Sequence, residues 1–272
     1  MKKVRIGGVP EHFNMPWHLA LQNNLFINQN IDLEWIDYPT GTGAMCKDLA
    51  ENKLDLALLL TEGAVADFER NHQFQFVQWY VKSPLTWGIH TAYSNDNINS
   101  LTDIENKKYA ISRFGSGSHL MASVNASQLN YNVKESDFLV VNNLKGAIES
   151  LSKGEAELFL WEKYTTKPYV DDKIFKRIGE CPNPWPCFIL VAHNNFIEKE
   201  SETLQKVVKI INETTQQLTK DEALINKIAT KYQLQKSDVT EWIKSVEWHS
   251  ENTYDQEILN NVKITLQKLG IL

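Results

Sequence analysis

Ser116-Gly117-Ser118-His119 is the stretch of this sequence best suited to hold a charged ligand. It follows an apolar run and opens a helical one, and its glycine lets the backbone approach a bound group closely. The first N–H groups of a helix have no intrahelical partner and sit at the positive end of the helix dipole. A sulfonate, phosphate or carboxylate fits there. An ordinary serine cap, worth about 1 kcal/mol to the helix, has the same sequence signature. Thr40-Gly41-Thr42-Gly43 and Thr61-Glu62-Gly63 make the same strand–loop–helix junction earlier in the chain. In open α/β sheets ligands bind beyond the carboxyl ends of the strands, where such junctions lie; turn and cap roles account for them equally well. Glu62 and Glu162 end corresponding strands. Facing a ligand, they would accept from an amine or a hydroxyl, or reject a second anionic group; otherwise they are strand-end charges. Trp17, Trp87, Trp161 and Trp185 fall near strand ends or connections, where a ring either meets a flat or cationic ligand or packs the core. His12, His18 and His119 share no helical H-x-x-x-H face, and no Walker loop, nucleophile elbow or dinucleotide fingerprint is present. No catalytic residue, metal or cofactor is therefore assigned.

These junctions need a scaffold that sets them side by side. Apolar periodicity gives strands over 4–9, 32–38, 54–60 and 75–81, alternating with helices over 16–28, 44–52 and 64–71. Such a βαβα series implies a parallel sheet with helices on its faces. An extended segment, 87–93, and a polar turn lead into a second series. It has helices over 101–104, 119–129 and 145–153 and strands over 108–112, 138–141 and 156–161. A strand over 188–192 closes it, and the tail from 198 is helical, with apolar residues at helical spacing over 205–219 and 257–269. A weak echo links the two series: Leu49-Ala50-Glu51-Asn52-Lys53-Leu54-Asp55-Leu56 parallels Leu151-Ser152-Lys153-Gly154-Glu155-Ala156-Glu157-Leu158. The expected fold class is α/β, with two Rossmann-like lobes joined by a two-strand hinge and the C-terminal helices on the first lobe. Taking 87–93 and 188–192 as the crossings, residues 1–88 and 189–272 form lobe 1 and residues 89–188 form lobe 2. Closure about a pair of crossings is a common way to enclose a ligand.

The bulk properties narrow the function. The 272 residues exceed one small core, and 42% hydrophobic with 23% charged residues is ordinary for a globular chain. A net charge of −6, without a basic patch, argues against nucleic acid. No run reaches the roughly 20 apolar residues of a membrane span. Gly7-Gly8-Val9-Pro10 interrupts the start where a signal peptide would be apolar. The expectation is a cytoplasmic chain, or a periplasmic or lipid-anchored one if a signal has been removed. Three cysteines, Cys46, Cys181 and Cys187, do not make a disulfide framework; a bridge between the last two, across Pro182-Asn183-Pro184-Trp185-Pro186, stays open.

Several of these runs resemble a known family. Ile6-Gly7-Gly8-Val9-Pro10 with its following helix is similar to the first strand of type II periplasmic binding proteins. The run from Ser100-Leu101-Thr102-Asp103 to Gly115-Ser116-Gly117-Ser118 resembles the S-x-x-D-L-x-G-K…G-S-G-S segment of the branch that binds alkanesulfonates, taurine and thiamine-pyrimidine precursors. Lys153-Gly154-Glu155-Ala156-Glu157-Leu158-Phe159-Leu160-Trp161-Glu162 is similar to the x-G-x-x-D-[AV]-x-x-x-W-E strand of that branch. The stretch from Gly8 to Leu19, with His12, Asn14 and Trp17, resembles a subfamily shared by fungi and bacteria whose members lack a signal peptide. The cysteine-rich C-C-C-F-C motif of the pyrimidine synthases has no counterpart, so their self-consuming chemistry is not expected. The resemblance implies a solute-binding protein that closes on a small anionic or zwitterionic ligand. An ABC-type permease is the candidate partner for a delivery role. The expected ligand-binding set is His12, Asn14, Trp17, Thr42, Gly43, Thr61, Glu62, Ser116, Gly117, Ser118, His119, Trp161 and Glu162. The alternative is a cytosolic enzyme on the same fold, in thiamine-pyrimidine or menaquinone-type biosynthesis. It has less support because no acid–base pair stands out, although a glutamate and a histidine in one cleft suffice for a dehydration.

Overall fold

A computed structural model describes all of residues 1–272. The chain forms two compact units, one from residues 1–83 and 185–263, the other from residues 84–184 and 264–272. In the first run are β1 (Lys2–Gly8), a short 3-10 turn at His12–Asn14, α1 (Met15–Gln22), β2 (Ile31–Asp37), α2 (Thr42–Ala50), β3 (Leu56–Leu60), α3 (Thr61–Asn71) and β4 (Phe74–Val81). The second unit contributes β5 (Thr86–Ala92), β6 (Tyr109–Ile111), α4 (Gly117–Gln128), β7 (Phe138–Val140), α5 (Leu144–Ser152), β8 (Leu158–Glu162), α6 (Lys167–Asp171) and β9 (Phe175–Pro182). The chain then returns with β10 (Phe188–His193), α7 (Asn194–Gln216), α8 (Glu222–Tyr232), α9 (Lys236–Ser245) and α10 (Gln256–Lys268).

The two sheets have one plan. The first runs β2-β1-β3-β10-β4 and the second β7-β6-β8-β5-β9. In each, three strands are parallel, as expected of βαβ units. The fourth strand is antiparallel to both its neighbours: β10 to β3 and β4, and β5 to β8 and β9. The expectation of a wholly parallel first sheet is corrected here. A parallel neighbour needs a crossover helix, and β5 and β10 each enter their unit directly from the other one, with no helix between.

Burial follows strand position. The central strands Leu-Ala-Leu-Leu-Leu (β3) and Phe-Ile-Leu-Val-Ala-His (β10) are buried almost throughout, as strands covered on both faces must be. The edge strand Ile-Asp-Leu-Glu-Trp-Ile-Asp (β2) buries Ile31 and Leu33 and exposes Asp32 and Glu34 between them. The helix expected over 16–28 stops at Gln22, and Asn24 and Asn30 take positive φ of 55° and 64° in the turns that follow. Asparagine tolerates that backbone better than other side chains. In the tail, α7 buries Val207, Val208, Ile210 and Ile211, one helical stripe.

The registers fix which ends of the strands lie together. In the first unit Gly8 is level with Asp37, and Leu60 and Val81 both pair with Phe188. The carboxyl ends of β1, β2, β3 and β4 therefore share an edge with the start of β10. In the second unit Trp87 lies between Glu162 and Cys181, so the ends of β6, β8 and β9 share an edge with the start of β5.

Candidate functional site

On the edge of the second unit, β6 ends at Ile111 and the chain turns through Gly115, whose φ is 75°. Ser116 caps α4: its hydroxyl accepts from the His119 N–H at 3.4 Å. The Ser118 hydroxyl accepts from the Ser112 N–H at 3.0 Å and lies 3.0 Å from the Ser116 hydroxyl and 3.4 Å from that of Ser112. All three serines are buried. Gly117 and Ser118 are the first two residues of α4, so their N–H groups precede the intrahelical ladder. His119 faces back into the loop. Its Nδ1 accepts from the Gly115 N–H at 3.1 Å, and its ring stands edge-on to Phe138 at 4.6 Å. Burial lowers its pKa below the ordinary 6.5, so it holds the loop as a neutral ring and adds no charge.

Trp161 and Glu162 are neighbours on β8 and point to opposite faces. Trp161 stacks on Phe159 at 5.3 Å and packs on a cluster that includes Ala147, Leu151 and Phe175. Glu162 is buried on the other face, and its Oε2 accepts from the Thr165 N–H at 2.6 Å. Burial raises its pKa against the pull of the Thr165 and Tyr164 amides. Its carboxylate thus serves the turn it begins.

The same edge carries a residue that the sequence did not single out. Asn183 takes the place of a strand residue between two prolines: its N–H donates to Leu85 O at 3.0 Å, and its Oδ1 accepts from the Leu85 N–H at 2.5 Å. Its Nδ2 and the Nε1 of Trp87 are buried without hydrogen-bond partners. The one available signal was Pro182-Asn183-Pro184, where flanking residues lack N–H donors and a side chain must complete the ladder. Behind the sheet, His90 accepts from Arg177 Nε at 3.3 Å and bonds Phe159 O at 3.2 Å. Burial and the Arg177 charge push its pKa to about 3, so it too is a neutral bridge.

In the first unit, the turn after β1 is locked by aromatic groups. Asn14 Nδ2 donates to Val9 O at 2.7 Å, and Phe13 O accepts from the Tyr80 hydroxyl at 2.7 Å and from Trp248 Nε1 at 2.8 Å. His12 is buried, stacked on Phe13 at 4.7 Å and edge-on to Trp242 of α9 at 4.2 Å. Desolvation lowers its pKa to about 3. Trp17 lies in the core, parallel to Phe26 at 6.0 Å.

Thr42, Gly43, Thr61 and Glu62 do come together. Thr42 Oγ1 accepts from the Leu60 N–H at 3.0 Å, and a Cβ on Gly63 would lie 2.7 Å from the Thr42 methyl. The first turn of α3 also grips the returning chain. Thr61 Oγ1 donates to Pro186 O at 2.5 Å, the Thr61 N–H donates to Cys187 O at 3.1 Å, and Trp185 Nε1 donates to Glu62 Oε2 at 2.8 Å. Glu62 is wholly buried, and its Oε1 has no hydrogen-bond partner. Burial pushes the carboxyl up to about 7, against the pull of the Trp185 indole and its own amide.

Cys46, Cys181 and Cys187 are buried, and none of them is in a disulfide. No group of three or more His, Cys, Asp or Glu side chains is placed to hold a metal ion. No helix is long and apolar enough to cross a membrane.

Residues 87–181 match the family described as Ca3427-like PBP. The Candida albicans CA3427 gene product, which exhibits the generic periplasmic binding protein fold, superimposes with a TM-score of 0.93 at 27% identity, covering 100% of this chain and 91% of that one. The alkanesulfonate-binding protein SsuA from Xanthomonas axonopodis pv. citri, bound to MOPS, gives 0.82 at 14% identity over 100% and 94% of the two chains. PhnD1 from Prochlorococcus marinus, in complex with methylphosphonate, gives 0.67 at 13% identity over 100% and 99%. None of the curated proteins matches the sequence.

Proposed function

On a chain with the type II periplasmic-binding-protein fold, we propose a solute-binding role: its two lobes close about their crossing segments on one small polar ligand with an anionic group. The observation that carries this is the junction at 112–119. There a glycine turn, three clustered serine hydroxyls and the free N–H groups of a twelve-residue helix meet at the carboxyl edge of a sheet. The N–H groups and hydroxyls are neutral donors, so they bind an anion without placing a competing cation beside it. The neutral His119 fits that role. Sulfonates and phosphonates, the classes named for SsuA and PhnD1, are the first ligands to try, and delivery to an ABC-type permease is the accompanying partner role.

A binding role has more support than the enzymatic alternative. His12, His90 and His119 are committed to packing or to holding loops as neutral rings. These three rings are therefore used for structure. A thermal-shift screen with sulfonates, phosphonates, carboxylates and amino acids tests the proposal, since a ligand that binds the native state raises the melting temperature. The expected hit raises it without being converted. Turnover of the hit would replace binding by catalysis, and a screen in which no anion raises the melting temperature would overturn the site.

A further inference from the structure

Trp185, Pro186 and Cys187 bring the chain back into the first unit, and the first turn of α3 fastens all three. Thr61 donates through Oγ1 to Pro186 O at 2.5 Å and through its N–H to Cys187 O at 3.1 Å, and the Trp185 indole donates to Glu62 Oε2 at 2.8 Å. The first two bonds join neutral groups and are indifferent to pH. The third ends on a carboxyl. Glu62 is wholly buried, and its Oε1 has no hydrogen-bond partner; a buried polar atom in that condition is rare and calls for a reason. On another side α2 closes the space, because a Cβ on Gly63 would lie 2.7 Å from the Thr42 methyl. The movable cover is Trp185. It stands between two prolines, belongs to no strand or helix, and can shift without unpacking one.

We propose that Glu62 and Trp185 form a proton-operated latch: with its proton on, the carboxyl keeps the 185–187 connection fastened to α3, and when the proton leaves, the connection opens at Trp185 and water reaches the carboxylate. A neutral carboxyl tolerates burial with one oxygen idle, whereas a carboxylate there lacks the donors that water would supply. Burial accordingly holds the covered group at about 7 against an ordinary 4.5; the indole bond pulls the other way and does not outweigh it. Opening returns the group toward its ordinary value. The covered form therefore has its full advantage below 4.5 and loses it as pH rises to about 7. No charged side chain is among the influences on Glu62. The elements packed around it add one titratable group, the Cys187 thiol on the connection. The first turn of α2, Thr42-Gly43-Ala44-Met45, and the strand ends Leu60 and Val81 add none, and Lys82 beyond β4 is exposed. The latch lies within the first unit, goes beyond the binding role, and is read without a ligand.

Amide hydrogen exchange of the full chain, followed by NMR, tests the latch. Its reporters are the Thr61 and Cys187 amides, which donate to Cys187 O at 3.1 Å and to Ser83 O at 3.3 Å. After division by the intrinsic exchange rates, their protection should fall by roughly 50- to 100-fold between about pH 5 and about pH 8, the ratio that the covered and open carboxyl values set. At both pH values it should stay below that of amides in the middle of β10 and should not respond to low urea, the mark of a local opening that exposes little surface. Glu62→Gln, which keeps an oxygen for the Trp185 indole and is neutral at every pH, should hold the protection constant. Protection that is unchanged between the two pH values overturns the proposal. So does a fall that survives in Glu62→Gln, or one that follows urea as the β10 amides do, since only global unfolding would then expose Glu62. If Glu62→Gln fails to fold, carbon-13 carboxyl shifts of the wild type supply the second measurement. They give the pH at which Glu62 titrates, and the protection should stop falling there; a curve that is flat below that pH, or that continues to fall beyond it, overturns the latch.

Discussion

Replacing Gly117 by proline deletes a hydrogen-bond donor at the start of α4 and adds a ring there. Gly117 is the first residue of α4, and Ser116 before it has φ −78° and ψ 164°. Proline is at home in the first helical position, where its fixed φ suits the helix, and it wants an extended residue before it. The bonds that hold the loop run through other atoms: Leu120 N to Ser116 O at 2.9 Å, Ser112 N to Ser118 Oγ at 3.0 Å, and Gly115 N to His119 Nδ1 at 3.1 Å. The variant should therefore fold with an unchanged or slightly raised melting temperature, because proline narrows the unfolded ensemble relative to glycine. If the Gly117 N–H bonds the ligand's anionic group, its loss costs about 1.5–3 kcal/mol, or about 10- to 150-fold in Kd. Titration calorimetry with an anionic probe that the wild type binds reads this directly, and a melting curve on the same sample reports the fold. Ser116→Ala is the companion variant. It removes a cap whose contact is long, 3.4 Å, so it should lower stability by about 1 kcal/mol or less, and it should weaken the probe as well, because it also removes one of the proposed hydroxyl donors. A Gly117→Pro protein that melts like wild type and binds the probe equally well would show that the start of α4 does not hold the anion.

Three further outcomes follow from the buried polar groups. Glu62 has a folded pKa of about 7 against an ordinary 4.5, so between those values the folded protein keeps a proton that the unfolded chain has lost, and stability falls as pH rises through that window. The whole effect is about 3 kcal/mol; urea denaturation at about pH 5 and about pH 8 should show it in wild type and lose it in Glu62→Gln, and equal slopes would refute it. Asn183→Ala strands the buried Leu85 N–H, bonded at 2.5 Å, and should cost about 1–3 kcal/mol by urea denaturation; an unchanged denaturation midpoint would refute it. The three buried thiols, with Cys181 pushed up to about 11 by desolvation, should resist a thiol reagent in the native protein and all react in denaturant; rapid labelling of the native chain would contradict their burial.

How far these features were legible in the sequence depended on whether the physics was local. The runs 54–60 and 188–192 announce central strands because both faces are covered, and β3 and β10 fall there. The start of α4 was visible because a capped helix after a glycine turn has a composition of its own, and the cap and the loop bond are both present. The strand β9 was not legible: Phe-Lys-Arg-Ile-Gly-Glu-Cys-Pro has charges and a glycine because it is an edge strand with one face partly in solvent. Nor was the antiparallel insertion of β5 and β10, since strand direction is set by where the chain comes from and leaves no mark on apolar spacing. Trp161 and Glu162 were grouped by their neighbourhood in sequence, but alternation along β8 sends them to opposite faces. His12 and Trp17 sit in an aromatic cluster completed by Trp242, more than two hundred residues away, and no local pattern predicts that partner.

The same contrast explains why Glu62 stands apart from the other carboxylates. A glutamate in the first turn of a helix is ordinary, because the helix dipole favours it and water normally solvates it. What changes its chemistry is Trp185, 123 residues on, which covers it and uses one oxygen only. Each edge, considered within its own unit, then has a different character. That of the second unit gathers donors: the first N–H groups of α4, the serine hydroxyls, and the unpartnered N–H groups of Trp87 and Asn183. That of the first unit holds an acceptor with an unused lone pair. A buried donor or acceptor left unmatched costs about 1–3 kcal/mol, so in each unit some stability is given up at the edge where the strands end.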